Sequence, residues 1–222
     1  MSQAKNGGYI NLDFIDKVDS KSHKKTQVFE NGELYTKTEF TNKQEMKDLM
    51  ELYNEKAPDG YKIEKVELVR ADNTIAPQNT TNTVGTNAVV WDYYIKSTTD
   101  YGSGWYNSTD DLLDDSTWNG PDTAVVQISE KVSATYSGEF GVSVSDISAK
   151  VGFSVTGEVT LTKSSTTPVP AGKKLNVKTY ATFHKVSYDV WADNILADDT
   201  YYATGYAYDP NGVYFAKFWY TL

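Results

Sequence analysis

The sequence predicts a mainly β protein: an elongated antiparallel sandwich with one long amphipathic hairpin and a small N-terminal ββαβ-like unit. Three observations carry that expectation. Residues 132–163 alternate apolar and polar side chains almost without interruption. Thr, Tyr, Ser, Val and Gly are plentiful and aromatic residues reach 14% of the 222, a profile that favours strands. Turn-forming runs such as Asn31-Gly32 and Asp209-Pro210-Asn211-Gly212 punctuate the alternating segments.

The alternating stretch has two halves of opposite parity. From Val132 to Ser145 the even positions are apolar or glycine; from Lys150 to Thr162 the odd ones are. Successive strand side chains point to opposite faces, so each half has one greasy and one hydroxyl-rich face. Folding about a turn at residues 146–149 sets Val144 against Val151, Val142 against Phe153, Phe140 against Val155 and Tyr136 against Val159. A slip of one residue would oppose every apolar side chain to a polar one. Each arm holds 14 residues, which at ~3.3 Å per residue spans roughly 45 Å. A tilted strand crosses a bilayer in ~9–11 residues. Arms of this length suit one strand pair of a membrane barrel, as well as a hairpin laid over a sandwich core.

Around this hairpin the chain divides into an N-terminal unit over 1–72, a linker over 73–87 and a β-rich domain over 88–222. Residues 9–16 alternate and predict a strand. Gln27–Glu30 and Glu33–Thr36 flank the Asn31-Gly32 turn. Met46, Leu49, Met50 and Tyr53 recur at helical spacing, predicting a helix over about 42–56 capped by Thr41. Tyr61–Arg70 returns as a strand, and 73–87 is Asn-, Thr-, Gln- and Pro-rich without periodicity. Strands follow over 88–98 and 123–131, separated by a Gly-, Asp- and Trp-rich loop. The prolines of 164–174 predict a turn. Leu175–Trp191 and the segment from Tyr201, folding back at Asp209–Gly212, supply the last strands.

Composition excludes several function classes. A net charge of −9 and a pI near 4.7 argue against nucleic acid and against docking on anionic lipid. There is no cysteine, hence no disulfide, thiolate metal site or thiol nucleophile. No nucleophile elbow, phosphate-cradling loop or His-Glu-x-x-His motif occurs, so no catalytic residue and no cofactor is expected. Asp110, Asp111, Asp114 and Asp115 could offer oxygens to calcium, but their spacing is not that of a calcium loop. Trp105, Tyr106, Trp118, Tyr201 and Tyr202 are candidates for surface rings that meet a receptor. The opening Met-Ser-Gln-Ala-Lys-Asn-Gly-Gly is polar and lacks a signal peptide's apolar segment, which fits a mature secreted chain carrying a start methionine.

The amphipathic Ser/Thr-rich hairpin, followed by Val169-Pro170-Ala171-Gly172-Lys173 and a long strand, resembles the aerolysin-like β-pore-forming toxins of the epsilon-toxin and mosquitocidal-toxin group. Residues 147–156, and the Gly205 and Gly212 runs, also resemble uncharacterised secreted β-rich proteins of Gram-positive bacteria. The toxin resemblance covers about 123–191 and implies a secreted homo-oligomer that binds a target membrane, cell-surface glycan or receptor and inserts the hairpin. On that reading Val132, Tyr136, Phe140, Val142, Val144, Val151, Phe153, Val155, Val159 and Leu161 face lipid. Ser133, Thr135, Glu139, Ser143, Lys150, Ser154, Thr156, Glu158, Thr160 and Thr162 then face the lumen. The alternative is an extracellular, non-catalytic β-sandwich, adhesin-like or carbohydrate-binding, whose hairpin never moves.

Overall fold

A computed structural model describes residues 8–17, 23–30, 33–71, 92–194 and 197–222. Two very long strands form its spine: β11 (Lys173–Ala192) and β12 (Thr200–Thr221), antiparallel along their whole length. Both are rich in β-branched and aromatic residues, and most of their side chains are buried. β2 (His23–Glu30), β3 (Glu33–Phe40) and β4 (Lys62–Ala71) extend this sheet from the β12 side. β5 (Tyr93–Asp100), β6 (Trp105–Tyr106) and β7 (Leu112–Asn119) pair with β11 on its other edge, and β1 (Ile10–Asn11) pairs with β6. With β9 (Thr135–Tyr136) beside β12, the sheet has ten strands among the described residues.

A second, two-stranded sheet stands apart. β8 (Asp122–Ser133) and β10 (Glu158–Val169) pair over twelve residues each. This ribbon covers one face of the large sheet, where Val126, Ile128, Leu161 and Val169 pack on Val177, Phe183, Phe215 and Trp219. The other face is closed by α1 (Leu12–Lys17) and α2 (Lys43–Leu52), which bury Leu12, Met46 and Leu49 against Tyr180, Tyr214, Phe218 and Tyr220. A helix between β9 and β10, α3 (Val144–Val151), closes the far end with a third core.

Several expectations are corrected. Residues 9–16 hold only two strand residues before turning helical: Asn11 Oδ1 accepts the Asp13 N–H at 2.7 Å, and Leu12 and Ile15 share the buried side. The cap of α2 is Asn42, not Thr41; its Oδ1 accepts from the backbone of Gln44 and Glu45. The acidic segment expected as a loop contains β7, whose Asp114 and Asp115 pair with Thr179 and Lys178 of β11. Residues 164–169 continue β10, leaving Pro170–Gly172 as the turn. No turn forms at Asp209–Gly212 either. The register shifts there, Thr182 facing Gly212 and Phe183 facing Pro210, so Asn211 is the extra residue of a bulge that lets proline sit inside a strand. The Asn31-Gly32 pair and the 73–87 linker lie outside the described residues.

Candidate functional site

The stretch that alternates in the sequence is not one hairpin in this structure. The ribbon pairs Ser133 with Glu158 and Val132 with Val159, a register four residues away from the expected one. An even slip keeps every side chain on its face, so alternation excludes only odd slips. What decided between them is the middle of the segment. Ser143 Oγ accepts the Asp146 N–H at 3.1 Å, and Gly152 ends the helix at φ 87°. Ile147 and Val151, one turn apart, both face the core. Ser-x-x-Asp followed eight residues after the helix start by glycine was a readable helix signal.

The expected lipid-facing residues are thereby divided between two cores. Val132, Val159 and Leu161 lie on the ribbon's underside against the large sheet. Val142, Val151, Phe153 and Val155 are buried in the tip, with Tyr136, Phe140 and Val144 at its margin. There they pack on Ile95, Val186, Tyr188 and Val190 of β5 and β11. The Tyr188 hydroxyl donates to the Gly138 carbonyl, and a Cβ at Gly205 would fall on the Tyr188 ring, so glycine admits that ring. The expected lumen face stays exposed on the ribbon at Ser133, Glu158, Thr160 and Thr162. Thr135, Glu139, Ser154 and Thr156 are solvent-facing in the tip, whereas Ser143 and Lys150 belong to α3 and its cap.

The ribbon's hold on the sheet is partly polar. The buried Lys217 ammonium donates to Ser165 Oγ at 2.9 Å and Thr167 Oγ1 at 2.8 Å. Lys163 pairs with Glu33 at 2.5 Å, and the Tyr35 hydroxyl donates to the Ser164 carbonyl at 3.3 Å. A cavity of about 550 Å³ opens between ribbon and β3, lined by Glu33, Tyr35, Ile128 and Lys163 among others.

The other candidates are dispersed. The four carboxylates do not converge: Asp110 takes Thr109 and Asn107, Asp111 the Asn107 backbone, Asp114 Ser116, and Asp115 Asn176 and Lys178. Burial, opposed by the Asn107 N–H and aided by Asp110, pushes the Asp111 carboxyl up to about 7. Tyr106 is a correction among the aromatics. It is fully buried, its hydroxyl 2.8 Å from that of Tyr53, because it faces the α2 side of the sheet. Trp105 and Trp118 are half-buried against the ribbon-side core, while Tyr201 and Tyr202 are exposed. His184 contacts Asp100 at 2.6 Å. Among the described residues no helix is long and apolar enough to cross a membrane, which leaves strands open.

No family model matches the chain, and no curated protein does. Among solved structures, the crystal structure of parasporin-2, a Bacillus thuringiensis toxin that recognizes cancer cells, aligns at 16% identity with a TM-score of 0.25. The alignment covers 73% of this chain and 72% of that one. At that TM-score nothing is carried from the toxin to this chain.

Proposed function

We propose that this chain is a secreted β-pore-forming protein: copies assemble on a target surface, and ribbon and tip refold into one long hairpin that enters the membrane. One observation supports this above the rest. Among the described residues the ribbon shares no ladder with the ten-stranded sheet, so it can leave without breaking a backbone–backbone hydrogen bond between the sheets. Extending its register past Ser133 and Glu158 sets Tyr136 opposite Val155, Phe140 opposite Val151 and Val142 opposite Ala149. All the apolar residues expected to meet lipid then share one face, with the hydroxyls on the other. Refolding the tip trades its helix for strand pairs and its core for lipid, so the greasy surface stays out of water.

The tip must come off the sheet first. Tyr136 and Ala207 are direct partners across β9 and β12, a separation suited to a disulfide. Tyr136→Cys with Ala207→Cys, oxidised, should abolish dye release from vesicles or red cells, and reduction should restore it. Release that ignores the lock would overturn insertion. A wild type that neither releases dye nor forms a heat-resistant oligomer on membranes favours the non-inserting binding module.

A further inference from the structure

The sheet face under the ribbon continues beyond it. Both register shifts between β11 and β12 place the extra residue on β12, so β11 alternates regularly along its length. Its odd residues Leu175, Val177, Ala181 and Phe183 lie in the ribbon-side core. Lys185, Ser187, Asp189 and Trp191 follow on the same side. The even residues Val186, Tyr188 and Val190 enter the tip's core on the opposite side. Past Phe183, then, this end of the sheet is covered on one face by α3; on the other no described element lies over it, Ser187 being buried among its neighbours while Lys185, Asp189 and Trp191 are half-buried.

The open face has a repeating chemistry. At one end the Lys185 ammonium sits among four rings, 4.1 Å from the centroid of Trp105, 4.5 Å from Tyr206, 5.0 Å from Tyr101 and 5.8 Å from Tyr208. At the other, Lys96 lies 3.7 Å over Trp191, which meets Tyr201 edge-on. Between them Asp189 accepts from Thr204 at 2.6 Å and from Ser97 at 2.8 Å. Six residues separate Lys185 from Trp191, roughly 20 Å at strand rise. Ser97 and Thr99 are exposed, Tyr101 is 46% exposed and Tyr201 52%.

We propose that this face binds an extended, uncharged carbohydrate chain. Sugar rings offer C–H faces to aromatic planes and hydroxyls to paired donors and acceptors, the two elements that alternate here. The rings are separated by hydroxyls and a carboxylate rather than joined into a greasy groove, which disfavours an acyl chain or an apolar helix. Among the described residues neither ammonium pairs with a carboxylate, and with Asp189 between them the face is close to charge balance. A phosphorylated or sulfated polymer would find little net attraction on a chain of charge −9. Binding here does not depend on the ribbon's insertion, and the test below contains no membrane in its primary arm.

The wild-type chain is titrated with tetra- to hexasaccharides of neutral hexoses and N-acetylhexosamines, read by calorimetry and by tryptophan fluorescence. Saturable binding of at least one series is expected. Trp191→Ala, Asp189→Asn and the exposed Tyr201→Ala should each weaken it by about tenfold, while Thr162→Ala on the ribbon leaves it unchanged. Circular dichroism of each variant separates lost binding from lost fold, and Tyr201→Ala keeps the test intact if the others misfold. No binding by any neutral series overturns the proposal. So does binding indifferent to Tyr201→Ala and Trp191→Ala, restricted to sulfated oligosaccharides, or found only with phosphatidylcholine vesicles.

Discussion

The two faces of the large sheet are closed in different ways. On the α2 side, Leu49, Met46 and Tyr53 meet Tyr180, Tyr214 and Phe218, and the tyrosine hydroxyls satisfy one another, Tyr53 with Tyr106 at 2.8 Å and Tyr214 with Tyr53 at 3.1 Å. On the ribbon side the sheet offers rings too, Phe183, Phe215 and Trp219, but the cover brings only the smaller Ala124, Val126, Ile128 and Leu161, interleaved with Lys163, Ser165, Thr167 and Lys217. Buried rings gain their stabilisation from leaving water. Hydrogen-bonded polar groups gain little net, because water replaces their partners when they part. One sheet thus carries a core closed by two helices on one side and a thinner, partly polar cover on the other.

The contrast breaks most visibly on stability. Phe218→Ala should cost about 3–5 kcal/mol in urea unfolding. Val126→Ala in the ribbon should cost less than half as much, with faster amide hydrogen exchange confined to 122–169. Equal losses would mean that both faces are equally fixed.

A smaller effect sharpens the polar side of the comparison. Replacing Lys217 by Met together with Ser165→Ala and Thr167→Val removes the buried ammonium and both of these hydroxyl partners, and should stabilise the ribbon because these three positions then bury no polar side-chain group. Ribbon amides should then exchange more slowly and dye release should fall. Faster exchange would show that the polar contacts are clamps rather than releases.

A further effect appears in the pH dependence. Glu67 is buried, which alone would raise its pKa, but hydrogen bonds and charge from Lys37 and Lys65 hold it at about 2. Its contribution is present above 4.5, the ordinary value, and is lost as pH falls toward 2. Asp111 has the opposite sign. With its pKa raised to about 7, the stability it contributes is present below 3.8 and lost as pH rises through 7. The wild type's urea midpoint should therefore fall as pH rises from about 4 to about 7, in a way that Asp111→Asn removes. An unchanged slope in Asp111→Asn would place the titration elsewhere.

Much of the fold was legible because its signals are local. Period-two alternation marked 123–131 and 175–191 as strands, and Met46, Leu49 and Tyr53 marked a helix. The failures share a cause. Pro210 and Gly212 read as a turn, yet a bulge opposite Thr182 carries the strand through them, and only a 20-residue partner strand makes that favourable. Residues 112–119 read as an acidic loop, but Asn176 and Lys178 on β11 supply partners for Asp115. The candidate aromatics show the same limit: Tyr106 and Trp105 are neighbours pointing to opposite faces, one sealed among tyrosines and the other beside Lys185.

Within the strands the sequence by itself determined which side chains share a face, because that follows from the two-residue period of an extended chain and survives any even slip; through the helix at 144–151 it did not. It also determined the charge, the lack of cysteine and the β-rich class. Only the tertiary structure decided that 144–151 is helix while 122–133 and 158–169 form the ribbon. A hydroxyl cap and a terminal glycine favour the helix locally while alternation favours strand pairing, and the apolar floor of Ile95, Val186 and Val190 beneath the helix is what the folded chain adds on the helix's side.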